Sequence, residues 1–234
     1  MLMSFLSYQN KKFLRSYHYI APSLCYFIWL MINYTYRNLP ILPSYAISMI
    51  VLMPIMTWIT IVCFNKDSIN ERYLFQIHLS SKIKYILFKS IYLLLFSLIF
   101  IIIAIILPII LGSFIHKITV TIIVISFLVH IWAAVFGILI GLIVQNWFLM
   151  GKKYAWLITI FILLITILKT TLIEKFSALK WVLWIFPPLN SFMTQLKNGT
   201  LNLFEPHFIL LNIYCCVYTL IVTLIIVFTY RKNG

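Results

Sequence analysis

No Asp, Glu, Lys or Arg falls between Lys89 and Lys117, and none between Lys117 and Lys152. A chain with two such uninterrupted apolar stretches has few folds open to it. About 20 apolar residues in a helix cross the roughly 30 Å of bilayer hydrocarbon. In that medium only helices or closed barrels satisfy the backbone. The stretches are far too long for barrel strands, which need about 10 residues. Composition agrees: the chain is 64% hydrophobic and 9% charged, against roughly 25% charged for an ordinary soluble domain. Its solvent is largely lipid.

Six spans are predicted, at residues 19–36, 45–64, 90–111, 119–144, 154–173 and 208–230. The first follows a basic start but lacks a small-residue cleavage site, so it reads as a retained anchor. The fifth has only residues 154–168 uncharged, about 22 Å of helix, so Lys169 is expected to snorkel to the headgroups. The stretch from Phe176 to Leu196 is apolar, but Lys180 and Pro187-Pro188 divide it into halves too short to cross. It is expected to form a re-entrant hairpin before the last span, within an outer segment 174–206. Tyr36, Trp181 and Trp184 fit an outer aromatic belt.

The net charge of +14 would suit nucleic acid, but the basic residues flank apolar spans instead of lining a face, which excludes that reading. Six spans place Lys11, Lys12, Arg15, Lys66, Arg72, Lys82, Lys84, Lys89, Lys152, Lys153, Arg231 and Lys232 on one side. The other side holds Arg37, Lys117, Lys169, Lys175, Lys180 and Lys197. The positive-inside rule then puts both termini in the cytoplasm. The wealth of Ile, Phe, Tyr, Lys and Asn matches AT-rich coding and points to a bacterial cell membrane. The chain reads as one all-α transmembrane domain, 1–234.

Residues 1–18 are short, basic and aromatic. Leu6, Phe13 and Tyr17 recur at helical spacing opposite Lys11 and Arg15, predicting an interfacial helix on the inner leaflet. Cys25, Cys63, Cys215 and Cys216 lie in or beside apolar segments without CxxC spacing, so they read as small buried hydrophobes and suggest no metal or disulfide framework.

Charge gathers at 65–89, where two of the four acidic residues, Asp67 and Glu71, meet five basic ones. Ser68-Ile69-Asn70-Glu71 is a capping box, in which serine and glutamate reciprocally satisfy helix-end amides. A helix is predicted from Ile69 to Leu79, held to the membrane by Ile69, Tyr73, Leu74 and Ile77 and presenting Glu71, Arg72 and Phe75. Ser80-Ser81 then caps a second helix leading through Lys82 and Lys84 into the third span.

No G-x-x-x-x-G-K-[ST], HExxH or GxSxG occurs, so no catalytic centre is expected in this chain and no cofactor. His130 is the ionisable residue nearest mid-membrane, either part of a translocation path or hydrogen-bonded between helices. Ala133, Gly137 and Gly141 form a small-residue stripe suited to close helix packing.

The segment NERYLFQIHLSSKIKYILFK, the WIFPPLNSFMTQLKNG before the last span, and the six-span layout resemble the ABC-2 family. These are permease subunits of ATP-binding-cassette exporters. The resemblance implies that 68–79 is a coupling helix seated in a groove of a separate ATPase subunit, which binds ATP and Mg. Asp67, Ser68, Glu71, Arg72, Tyr73 and Phe75 would carry that coupling. It also implies a second permease, identical or related, with a seam along spans one and five. The implied cargo is an amphipathic, hydrophobic peptide such as a phenol-soluble modulin or antimicrobial peptide. Export of a drug or lipid-linked polysaccharide, an ion-coupled secondary carrier, and a non-transporting immunity protein remain alternatives.

Overall fold

The computed structural model describes residues 1–146, 151–197 and 203–232, and among them every regular element is helical. In chain order these are α1 (Leu2–Arg15), α2 (Ile20–Tyr34), α3 (Ile41–Asn65), α4 (Ile69–His78) and α5 (Lys82–Ile110). Then come α6 (Val120–Asn146), α7 (Gly151–Lys175), α8 (Lys180–Leu183), α9 (Leu189–Lys197) and α10 (Pro206–Lys232). Five of them, α3, α5, α6, α7 and α10, are long and apolar enough to cross a membrane. The chain is membrane-embedded. The segment expected as the first span, 19–36, holds α2, an apolar helix of 15 residues, about 22 Å long and shorter than those five.

Helix α3 is the axis of the bundle and the most enclosed span; α7 and α10 leave most of their surface outside. The α3–α6 seam is built on the small-residue stripe. A Cβ on Gly137 would stand 2.5 Å from the Met53 carbonyl oxygen and 2.8 Å from Met56 Cβ, and one on Gly141 2.6 Å from Thr60 Cβ. Glycine lets the backbones touch, and Thr57 Oγ1 donates to the Gly137 carbonyl at 3.1 Å. Ala133 is fully buried on the same stripe. The stripe therefore packs within one chain.

At the end of the bundle away from α4, the α2–α3 and α5–α6 connections are laced together. Leu39 N–H donates to Ser113 O at 2.9 Å, Ile115 N–H to Leu39 O at 3.3 Å, and Ser113 Oγ to Tyr34 O at 2.7 Å. The apolar stretch 176–197 forms a 3-10 turn (Ser177–Leu179) running into α8, and then α9 beyond Pro187-Pro188. Buried Leu189, Phe192 and Leu196 seat α9 on its neighbours, and Asn190 Nδ2 donates to Ile167 O. The Lys169 ammonium donates to Phe186 O at 3.0 Å. That bond tethers this segment to α7. Trp181, Trp184 and Tyr36 are exposed.

Candidate docking site around α4

The capping box forms as its spacing dictates. Glu71 N–H donates to Ser68 Oγ at 3.2 Å and Ser68 N–H to Glu71 Oε2 at 3.3 Å, starting α4 at Ile69. Ser81 Oγ likewise accepts from Ile83 N–H and starts α5. The short connection leaves Ser80 at φ 52°, in the left-handed region.

What surrounds α4 differs from the expectation. Glu71, Arg72 and Phe75 are not presented outward. Tyr8 donates to Glu71 Oε1 at 2.7 Å and Lys12 Nζ to Oε2 at 2.5 Å. Arg72 Nη2 donates to Phe64 O in the last turn of α3 at 2.6 Å, where a cation complements the negative end of the helix dipole. Phe75 meets Phe5 and Tyr8 edge-on, with ring centroids 5.2 and 5.3 Å away, and stacks on Tyr85. The physical reason is α1. It lies along α4 and α5, burying Phe5, Gln9 and Phe13, and supplies the charge and aromatic surface that Glu71 and Phe75 need. Its buried stripe is thus Phe5-Gln9-Phe13 with Leu6 beside it; Tyr17 lies beyond the helix end, exposed.

Asp67 is the hub. Its side chain is fully buried and accepts from Lys12 Nζ at 2.7 Å and from Lys89 Nζ and Tyr85 OH. Lys89 is itself fully buried, with its ammonium 4.4 Å from the centre of the Phe64 ring. Burial pushes the Asp67 carboxyl up, but the Lys89 ammonium and the hydrogen bonds from Lys12, Lys89 and Tyr85 outweigh it and hold it below the usual carboxylate range. Glu71 follows the same logic: partial burial pushes it up, and the bonds from Lys12 and Tyr8 bring it below its ordinary value. Two carboxylates facing two ammonium groups leave this clasp neutral. Burial of such charges is tolerable only when they are paired and hydrogen-bonded.

The opposite side of α4 is bare. Tyr73, Leu74 and Ile77 are 58%, 62% and 74% exposed on a helix of 10 residues, flanked by exposed Asn70 and His78. Large apolar side chains gathered so closely mark a contact surface with lipid or protein. Of the six residues expected to act together, Asp67, Glu71, Arg72 and Phe75 hold α4 from within, Ser68 caps it, and Tyr73 stands on the free face.

His130 lies in another place, at the α3–α6 seam. It is fully buried, with Nδ1 at 2.7 Å from Ser126 O and Nε2 at 2.9 Å from Ser48 Oγ. Tyr45 stands edge-on to the ring. Both ring nitrogens are occupied, so the imidazole here is a tie between helices. The residues missed in the sequence are Tyr8, Lys12, Tyr85 and Lys89. Their signal in the sequence was the run of basic residues Lys82, Lys84 and Lys89 leading into the third span and the helical spacing of apolar residues in 1–18.

Compared with known protein families, curated proteins and solved structures, the chain matches none.

Proposed function

We propose that the protein is the permease subunit of an ATP-driven exporter, with α4 as the helix on which a separate ATPase subunit pushes. The observation that carries this reading is the two-sidedness of α4: one side locked by charge and aromatic contacts to α1, α3 and α5, the other apolar and free. A helix so held passes a push to the spans as a rigid body, whereas a loose loop absorbs it. The docking face is Tyr73, Leu74 and Ile77; Asp67, Ser68, Glu71, Arg72 and Phe75 keep it in position.

In this reading α2 is the sixth span, both termini and α4 lie in the cytoplasm, and α8–α9 dip into the outer leaflet as a re-entrant segment. The membrane is a bacterial cell membrane, and the protein pairs with a second permease. The cargo is an amphipathic peptide, which aromatic and uncharged spans suit. ATP and Mg belong to the partner chain.

The test is affinity purification of the full chain from native membranes in mild detergent, with mass spectrometry of co-purifying chains. An ATPase subunit should be recovered in stoichiometric amount with the wild type and lost with Leu74→Glu/Ile77→Glu, while the variant keeps its melting temperature. Failure to recover an ATPase, together with transport driven by a proton gradient in vesicles, overturns the reading in favour of an ion-coupled carrier.

A further inference from the structure

A groove opens sideways between α5, α6 and α10, with a cavity volume of about 160 Å³. Leu87, Ser90 and Ile91 form one wall, Leu139 and Leu142 the floor, and Val227 the other wall. The Ser90 hydroxyl donates to Ile86 O at 2.8 Å, and that of Thr223, which also lines the groove, donates to Thr219 O. Both hydroxyl protons are thus used within their own helices, and the lining is otherwise hydrocarbon. Engineered apolar cavities of roughly 150 Å³ stay dry and take up molecules such as benzene. A short run of methylenes is matched to this one.

Its position supplies the second half of the argument. The lining residues of α5 lie roughly 6–18 Å from the start of that helix, so the groove sits in the half of the bundle nearest α4. Lys84 stands three residues before Leu87 and seven before Ile91, on one helical stripe. It is exposed and makes no ion pair among the described residues. Helix α5 thus carries a positive charge just before the groove begins.

We infer that this groove is a binding site for an anionic phospholipid, one acyl chain lying between α5, α6 and α10 and the phosphate headgroup meeting Lys84. The charge selects the occupant: an apolar groove alone accepts any chain, while a basic residue at its mouth favours an anionic headgroup by about fivefold. The site is independent of the transport reading above, because it requires no partner subunit.

The test is native mass spectrometry of the full chain reconstituted in an equal mixture of phosphatidylglycerol and phosphatidylcholine. The wild type should retain one phosphatidylglycerol about fivefold or more in preference to phosphatidylcholine. Lys84→Gln should lower that preference about fivefold and keep the number of bound lipids. Leu142→Phe, which fills the floor, and Leu87→Trp, at the exposed rim and harmless to folding, should each remove the retained lipid. Equal retention of both lipids by the wild type overturns the headgroup assignment, and retention unchanged in both groove variants overturns the chain assignment. A chain dimer lost with Leu87→Trp, without bound lipid, would overturn both and give the groove to a second copy.

Discussion

Replacing Asp67 by Asn removes one negative charge from a fully buried side chain. The amide is nearly the same size and still accepts from Tyr85, so packing and that hydrogen bond persist. What is lost is the counter-charge of Lys89, whose side chain is fully buried. The Phe64 ring at 4.4 Å attracts the ammonium, but such contacts contribute about 0.5–2 kcal/mol, short of the need. Breaking a buried pair from one side costs about 3–5 kcal/mol. In a chain of this length 1 kcal/mol moves Tm by about 2–4 °C, so D67N should melt roughly 6–20 °C lower. Lys12 keeps Glu71 and contributes little to the loss. The decisive variant is D67N/K89M, which removes both charges and leaves a methionine where the lysine stem packed. It should recover at least half of the fall, since an uncharged pair in a buried site carries no desolvation cost. The assay is tryptophan-fluorescence melting in mild detergent, with D67N, K89M and the double variant side by side. If the losses of the single variants simply add, the two charges are not coupled and the clasp as described is wrong.

The pH dependence has a defined sign. Asp67 and Glu71 are held below their ordinary values, near 4, so their contribution is complete above that range and is lost as pH falls below it. Melting curves from pH 3 to 7 should be flat through the upper part and fall below about pH 4, more shallowly in Glu71→Gln. For Lys12, partial burial pulls the ammonium down but Asp67 and Glu71 more than restore it, so its bonds should hold until the pH exceeds the usual lysine range near 10. Gly137→Ala should lower Tm, because overpacking costs about 1–3 kcal/mol and outweighs the roughly 1 kcal/mol that alanine gains in a helix; a rise in Tm would refute the contact with the Met53 carbonyl. His130→Leu should cost about 1–3 kcal/mol of stability by removing the imidazole partner of the buried Ser48 hydroxyl, yet leave transport per folded molecule unchanged in reconstituted vesicles. Abolished transport would instead show the imidazole at work in translocation.

Much of the architecture was legible because it is local. The long helices follow from uncharged runs, and α4 and α5 begin where Ser68, Glu71 and Ser81 can satisfy amides two or three residues away. The fate of Glu71 was not legible. Its partners Tyr8 and Lys12 lie 63 and 59 residues away, and nothing in the periodicity of α1 fixes which helix it covers. A charged residue beside a capping box looks solvent-facing until the neighbour that neutralises it is known. Lys89 shows the same limit from the other side: a lysine at a span boundary ordinarily snorkels, and only Asp67 across the helix ends keeps it inside. The glycine stripe announced a close approach, but α3 as its partner depends on tertiary packing.

The clasp also sets an order of events. Lys12 leaves the ribosome 55 residues ahead of Asp67, its buried partner, so at about 5–20 residues per second α1 exists for roughly 3–11 s before that carboxylate is made. During that interval the α4 and α5 rings that pack on Phe5 and Phe13 are not yet made, and the bilayer surface offers that stripe an apolar shelter. Helix α1 is therefore made well before α4 and α5, and the structure around α4 is complete only when the start of α5 has followed it out.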